Sequence, residues 1–552
     1  MNRINDLLLS VSIIFLLLIF FCIGVTDLFF ALNLPHFQFI FPIAAVMCIG
    51  LSWSLCKKYL MIHNSIFLIS VFVSVVIFLI FEIIALSFYD ISWDGQAYHL
   101  EAILKMKEGW NSIWMKLDNS LKADNIFINH YPRGDWYVSF SLYALTGKIE
   151  GVKVFNFLWF IICWFLCCSL LNRFIKLSFL LSVFVSLLAA ANPVTLVQLL
   201  SNYVDGQLAM TLTLTITLCA FLYYTGNFLF ALLLFFTTTI AVNLKFTAPF
   251  YVLLLEAGCV TVFVFIKNFV AVKKICLAIV AGFLFGIFVI GYSPYVSNTI
   301  EFGNPVYPIA DKSQEKINSS IANALAPVSF SKMNRVQKLV ASNFSKGVYS
   351  RSPKNNQLKI PGTFSEDEIM NYVRPDAEVA GMGPFFSLAL LLSVIALGYI
   401  FIADRKIFFV LSIGISFILI SVFITPVGWL PRYAPQFYLI SVFVLIAAFS
   451  IRKRFSVIIA GVCFVVLLMN NFMIANYYFT RQAKFSSQLK TELKNISDKK
   501  KAVRVFFGRF NSNRQRFNES GIRFTEVKSI HELDSSKIYY LQGLNDQVAV
   551  EN

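Results

Sequence analysis

Residues 65–102 read SIFLISVFVSVVIFLIFEIIALSFYDISWDGQAYHLEA. The stretch 65–88 is almost wholly apolar and long enough to cross about 30 Å of hydrocarbon, which takes roughly 20 helical residues. It runs without a linker into ISWDGQAYHLEA, the sharpest local feature of the chain. A membrane helix that ends on a carboxylate puts that carboxylate at the membrane–water boundary. This one stretch therefore predicts a membrane span and a site at one face of the membrane.

Comparable apolar runs lie near 7–25, 39–56, 153–171, 177–191, 206–224, 228–243, 247–266, 275–293, 384–403, 407–424, 437–450 and 455–473. The expected fold is an all-α polytopic membrane protein of about 13 transmembrane helices, with outer-face loops and a small C-terminal α/β appendage. Composition agrees: 58% of the residues are apolar and only 14% charged, against near half and a quarter in soluble domains. The 59 Phe suit lipid-facing surfaces. Coiled-coil and fibrous classes are excluded.

The net charge of +16 comes from Lys and Arg in short runs beside apolar segments, which points to membrane lipids and not to nucleic acid as the partner. Ten Cys are scattered, three of them (Cys163, Cys167, Cys168) within one apolar run, so neither metal spacing nor a disulfide framework emerges. The first apolar run lacks a small-residue cleavage site and is expected to be a retained span.

Arg3, Lys57/Lys58, Arg173/Lys176, Lys267/Lys273/Lys274, Arg405/Lys406 and Arg452/Lys453/Arg454 all fall on one side of the alternation. By the positive-inside rule that side is the cytoplasm. The N-terminus is then cytoplasmic and the C-terminus extracytoplasmic, in a bacterial-type inner membrane. A transmembrane domain over 1–473 carries two long outer loops, about 89–152 and 294–383, and precedes an extracytoplasmic tail over 474–552. The amphipathic run AYHLEAILKMKEGW is expected flat at the interface, and 136–146 as a re-entrant or surface element. The second loop, rich in Asn, Ser and Pro, is expected to fold over a site. In the tail, AVRVFF and SSKIYYLQ read as strands around a helical stretch. No internal repeat is evident, nor a matched pair of broken helices of the transporter kind.

Polar groups, sparse in the spans, gather at outer helix ends. Asp94, Tyr98 and Glu101 are expected on one helical face with His99 adjacent. A carboxylate there can deprotonate an acceptor hydroxyl or help hold a divalent metal ion on a phosphate; the plainer reading is that Asp94 caps the following helix. Asp205, in SNYVDGQLA, is either a second functional acid or another cap. Lys245, in NLKFTAPFY, can bind a lipid phosphate or snorkel to headgroups. Arg432, in WLPRYAPQF with Tyr433, suits bidentate phosphate contact or interfacial anchoring. NHYPRGDWY (His130, Tyr131, Arg133, Asp135) and FGNPVYPIA (Glu301, Tyr307) complete the set.

The ordered motifs WDGQAYH, YPRG, SNYVDGQLA, LKFTA, GNPVYP, GMGPFF and RYAPQFY, over roughly 65–440, resemble the GT-C superfamily of polytopic glycosyltransferases. That group includes the protein O-mannosyltransferases and the aminoarabinose transferase of lipid A. The resemblance implies a GT-C-like fold with Asp94 as catalytic base and Asp205 as a second acidic position. It implies Lys245 and Arg432 on the donor phosphate, and Tyr98, His99, Glu101, His130, Tyr131, Arg133 and Tyr433 around the substrates. It further implies a polyprenyl-phosphate-linked sugar donor and a glycan or lipid acceptor. The chain departs from the O-mannosyltransferase pattern in having two spans before the signature helix and a single Asp where many members carry an acidic pair. Two other readings stand: a polymerase or ligase of O-antigen type, for which Arg335, Arg351 and Arg374 in the second loop speak, and a transporter or flippase of lipid-linked saccharides.

Overall fold

A computed structural model describes residues 2–120, 122, 124–309, 325–350, 352, 357–544 and 548–551. Among these, ten helices are long and apolar enough to cross a membrane: Arg3–Ala31, Phe37–Leu60, Asn64–Ser87, Ile149–Ile175, Asp205–Thr225, Ala248–Phe265, Phe269–Ile290, Phe386–Ala403, Arg405–Ile424 and Arg454–Asp498. Three shorter apolar helices, Phe179–Ala190, Phe228–Val242 and Pro435–Ile451, lie at other places where spans are expected. The protein is thus a multi-pass helical membrane protein with a small C-terminal sheet.

Burial sorts the helices into layers. In the most apolar window of Arg3–Ala31 and of Ile149–Ile175, 78% of residues are buried, against 17% in Asn64–Ser87 and Arg405–Ile424. The latter two therefore form the lipid-facing rim, and they expose Phe72, Ile83 and Phe409. Asp205–Thr225 runs through the centre although it carries Thr211, Thr213, Thr215 and Thr217. Each hydroxyl donates back to a carbonyl three or four residues earlier, at 2.8–2.9 Å, so none is left unpaired in an apolar interior.

The three short helices explain where a site can form. The 12 residues of Phe179–Ala190 cover only about 18 Å. At one end they yield to the stretch 191–204, whose only regular element is the short helix Pro193–Gln198, as Phe228–Val242 yields to 243–247 and Pro435–Ile451 is preceded by 425–434. These stretches lead to or carry Asp205, Lys245 and Arg432.

Three expectations change. The run after His99 forms the helix Leu100–Lys107, but Leu100, Ile103, Leu104 and Met106 are buried against the helix Gly134–Thr146, so the run is a core element and not a strip on the membrane surface. Gly134–Thr146, which contains 136–146, is no surface element either: Trp136 through Ala144 are buried, and the Thr26 hydroxyl donates to the Tyr137 carbonyl at 3.1 Å. The last span does not stop at 473, because Arg454–Asp498 is one helix of 45 residues.

That helix carries the tail directly. Leu489, Leu493 and Ile496 share a core with Val503, Val505, Phe517, Val548 and Val550. The tail forms β1 (Val503–Phe506), β2 (Phe524–Glu526), β3 (Ile538–Tyr540) and β4 (Ala549–Glu551), in the order β2-β1-β4-β3. β1 and β2 are parallel, which demands a crossover, and the helix Asn511–Glu519 supplies it. Residues 310–324, and Arg351 of the second loop, lie outside the described residues. The rest of that loop folds back as Arg335–Phe344, closed by an Asn334–Gln337 capping box, and Glu366–Tyr372.

Candidate functional site

Beyond Ser87 the chain turns on Asp90. Its carboxylate accepts from Ser92 N at 2.8 Å and from both the backbone N and the Nδ2 of Asn202, at 2.8 and 2.7 Å. The first loop is thereby tied to the SNYVDG segment. A Cβ on Gly95 would lie 2.2 Å from Ser92 Oγ and 2.4 Å from Asp90 Oδ2, so only glycine lets the turn close. Gly95–His99 then forms a π-helical turn. Its wider step breaks the expected register. Asp94 faces the site, whereas Glu101 points elsewhere.

Asp94 makes no capping bond. One carboxylate oxygen accepts from Arg432 Nη2 at 2.8 Å, its backbone N donates to the Tyr203 hydroxyl at 3.3 Å, and its side chain keeps 23% exposure. Asp205 does not cap either. It is the first residue of its helix, where a negative charge suits the dipole, but its carboxylate turns to Lys245 Nζ, to Arg432 Nε at 3.3 Å and to Gln198 Nε2 at 3.2 Å. Lys245 is not snorkelling: it pairs with Asp205 and lies 4.7 Å over the Tyr433 ring. Arg432, on the short turn Pro431–Tyr433, is the hub. Its third carboxylate partner is Glu378 at 3.1 Å, and it stacks 4.9 Å from the Tyr203 ring.

Glu378, Gln198 and Tyr203 were not among the expected site residues. Gln198 also accepts from Gly206 N at 2.7 Å and donates to the Pro375 carbonyl at 2.9 Å, while Ser350 Oγ donates to Glu378 at 2.8 Å. The second loop is thus fastened to the site from two sides. Tyr203 stands in a motif already singled out, whereas Glu378 stands in a polar loop where one more acid draws no attention.

Burial pulls Lys245 below the ordinary lysine range, against the pull of Asp205. Burial also disfavours the charge of Arg432, but Asp205 and Asp94 outweigh it and keep the guanidinium protonated. His99 is driven down to about 4 by burial, although Asp94 and Asp205 favour its charge, so the ring is neutral at pH 7. The Trp136 indole N–H, a pure donor, points at His99 Nδ1 from 2.8 Å and leaves the ring proton on Nε2, which has no partner. Tyr98 and Tyr131, ring centroids 6.0 Å apart, wall the site. Both hydroxyls are raised by burial and next by acidic groups of the site, Asp94 for Tyr98 and Tyr433 with Asp94 for Tyr131.

Of the expected residues, Asp94, Asp205, Lys245, Arg432, Tyr433, Tyr98, His99 and Tyr131 are gathered here. Six others are not, among them Asp135, held by Gln207 Nε2 at 2.5 Å, and Glu301, paired with Lys116. Glu101 is bound by Asn511 Nδ2 at 2.6 Å and Lys122 at 3.3 Å. Arg133 donates to the Asn129 carbonyl at 2.8 Å and stacks on Trp110 at 5.5 Å. His130 bonds Asn298 at 2.8 Å and meets the Tyr307 ring edge-on, which joins the NHYPRG and GNPVYP motifs as a structural unit. The three carboxylates of the site are engaged by guanidinium and ammonium groups, and among the described residues no three His, Cys, Asp or Glu side chains form a metal-ligand set.

The C-terminal domain buttresses the first loop. Arg516, 2% exposed, donates to Glu150 Oε1 at 2.8 Å, Gln96 Oε1 at 3.0 Å and the Asp90 carbonyl at 2.6 Å. Arg509 grips Asp124 and stacks 5.1 Å over Trp93. Both flanks of the turn that presents Asp94 are therefore held by the tail.

No protein-family model, curated protein or solved structure matches this chain. The site is read from its own chemistry alone.

Proposed function

We propose that the chain is an inverting, GT-C-like membrane glycosyltransferase that moves a sugar from a polyprenyl-phosphate donor to an envelope glycan or lipid acceptor at the outer face of a bacterial inner membrane. The observation that carries this reading is Asp94: a carboxylate fixed by Arg432, still partly exposed, at the rim of a buried cluster of opposite charges. We take the three short apolar helices as spans together with the ten long ones, 13 in all. That count keeps the basic runs on the cytoplasmic side and the cluster on the other.

In the reaction, the acceptor hydroxyl gives its proton to Asp94 as its oxygen attacks the anomeric carbon. The bond from that carbon to the phosphate oxygen breaks, and polyprenyl phosphate leaves with the bonding pair. Arg432 holds the base in place and Lys245 holds Asp205, so the cluster is organised before the acceptor arrives. The neutral His99 ring adds an N–H donor and no charge.

The alternative of an O-antigen-type ligase keeps one observation in its favour. Arg335 donates to the Phe423 carbonyl at 2.6 Å, whereas Arg374 lies over the Tyr349 ring with its buried Nε unpartnered among the described residues. A panel of synthetic polyprenyl-phosphate monosaccharides, given to the purified protein in nanodiscs, separates the two. Release of polyprenyl phosphate by wild type but not by folded Asp94→Asn supports the transferase. Turnover only with lipid-diphosphate oligosaccharides moves the assignment to the ligase.

A further inference from the structure

The charge pattern of the site leaves one part of the proposed reaction without a holder. Asp94, Asp205 and Glu378 face Arg432 and Lys245, three negative charges against two positive. Both cations are already taken up by acids, and a phosphate brought into this cluster meets a net negative charge. An anionic donor needs cations that are not so engaged.

Two lie on, or on the helix packed against, the loop that carries Glu378. The loop Arg374–Glu378 is pinned beside the cluster by the Gln198 bond to the Pro375 carbonyl, 2.9 Å, and by Glu378 on Arg432. Ala377 within it holds a left-handed backbone, φ 47°, a strain that persists only where the surroundings enforce it. At the head of this loop the Arg374 guanidinium lies 4.3 Å over the Tyr349 ring, and its Nε is buried without a partner. Tyr349 in turn donates to Asp376 at 3.0 Å. The second cation is Arg481, on the long helix Arg454–Asp498, partly exposed and 5.5 Å over the Phe485 ring. Val373 and Ala377, on either side of Arg374, pack in one buried cluster with Ile474 and Tyr478 of that helix, the latter one turn before Arg481. Among the described residues neither arginine has a carboxylate ion pair.

Depth along the helix agrees. Arg481 comes about 27 residues after Arg454, roughly 40 Å at 1.5 Å per residue, the thickness of a bilayer with its headgroup layers. A cation there sits where lipid phosphates sit. Two guanidiniums against one carboxylate leave a positive charge for an oxyanion, and the planar fork of arginine matches phosphate geometry.

We propose that Arg374 and Arg481 form a clamp for the phosphate monoester of a membrane-embedded prenyl phosphate, beside the Asp94–Arg432 cluster. The clamp rests on the transferase reading for its role as donor site, but binding alone tests it. Arg432 and Lys245 then serve to organise the carboxylates, and the leaving phosphate is held by the second pair.

The test uses the full-length protein in uncharged phosphatidylcholine nanodiscs, titrated with a short-chain prenyl phosphate. Inorganic phosphate and discs containing phosphatidylglycerol serve as separate arms. Arg374→Gln and Arg481→Gln are each expected to weaken prenyl phosphate binding tenfold or more, and the double variant to be little weaker than the worse single one. Asp94→Asn, which removes one negative charge from the neighbouring cluster, is expected to bind at least as tightly as wild type does. Should a Gln variant fail to stay monodisperse, Arg374→Lys and Arg481→Lys keep the charge but lose the fork, with a several-fold loss expected. Wild-type affinity in the double variant, or no binding by wild type, overturns the clamp. Equal competition by inorganic phosphate or phosphatidylglycerol overturns its assignment to a prenyl phosphate. Binding that follows the arginines in a protein that transfers no sugar keeps the clamp and removes the transferase reading.

Discussion

Two arginines, Arg432 and Arg516, sit at the centre of buried charge clusters at the same end of the bundle, and they are built differently. Around Arg516 everything is closed. Glu150 and Lys153 are 5% and 0% exposed at their side chains, and Arg516 also meets Gln96 and the Asp90 carbonyl. With the buried Asp90 counted, two acids balance two cations there, and neither carboxylate reaches solvent. Around Arg432 three acids outnumber two cations, and one of them, Asp94, keeps 23% exposure. A network that only holds parts together has no use for an excess acid or an open edge. The contrast separates a structural joint, at Arg516, from the candidate site, at Arg432.

The largest stability effect expected from this contrast is at the joint. Arg516→Met leaves Glu150 buried with only Lys153 as a charge partner, and breaking such a buried arrangement costs about 3–5 kcal/mol. Thermal unfolding in detergent checks it, and a midpoint equal to wild type would mean that the tail does not brace the first loop. Next comes a pH effect. Folding lowers the His99 pKa from 6.5 to about 4, so the unfolded chain accepts a proton that the folded chain refuses. Stability from this source is complete above pH 6.5 and fades as the pH falls toward 4, by about 3 kcal/mol in all. Unfolding midpoints at pH 7 and pH 4 should therefore diverge more in wild type than in His99→Gln; identical pH slopes would contradict the buried neutral ring. The smallest effect is at Glu378. Because Arg432 retains two other acids, Glu378→Gln is expected to shift stability by only about 1 kcal/mol, and a loss several times larger would show that Arg432 depends on it.

Much of this contrast is visible in the amino-acid sequence, for a physical reason. In spans with so few charges, Asp205, Lys245 and Arg432 stand out, and the cost of placing them near lipid is itself the signal. The same logic loses its force in polar surroundings. Glu378 and Arg516 lie among many charged residues, where neither spacing nor hydropathy marks the one that becomes buried. Glu101 was misplaced by a backbone feature, since the π turn Gly95–His99 shifts the face on which it falls. Arg133 sits in a motif that resembles a substrate site but is packed on Trp110, a contact set by tertiary packing alone. The long helices follow from apolar length, while the short ones blur because they give way to the irregular chain that builds the site.

Asp94 is proposed to perform chemistry, whereas Arg516 braces the first loop. Measuring kcat for sugar transfer and the unfolding midpoint side by side, in wild type, Asp94→Asn and Arg516→Met, tests this division most directly. Asp94→Asn is expected to lower kcat by about 10²–10⁴, the usual contribution of a general base, with its midpoint within a few degrees of wild type, and Arg516→Met to lose stability first. Turnover by Asp94→Asn at the wild-type rate would contradict the account.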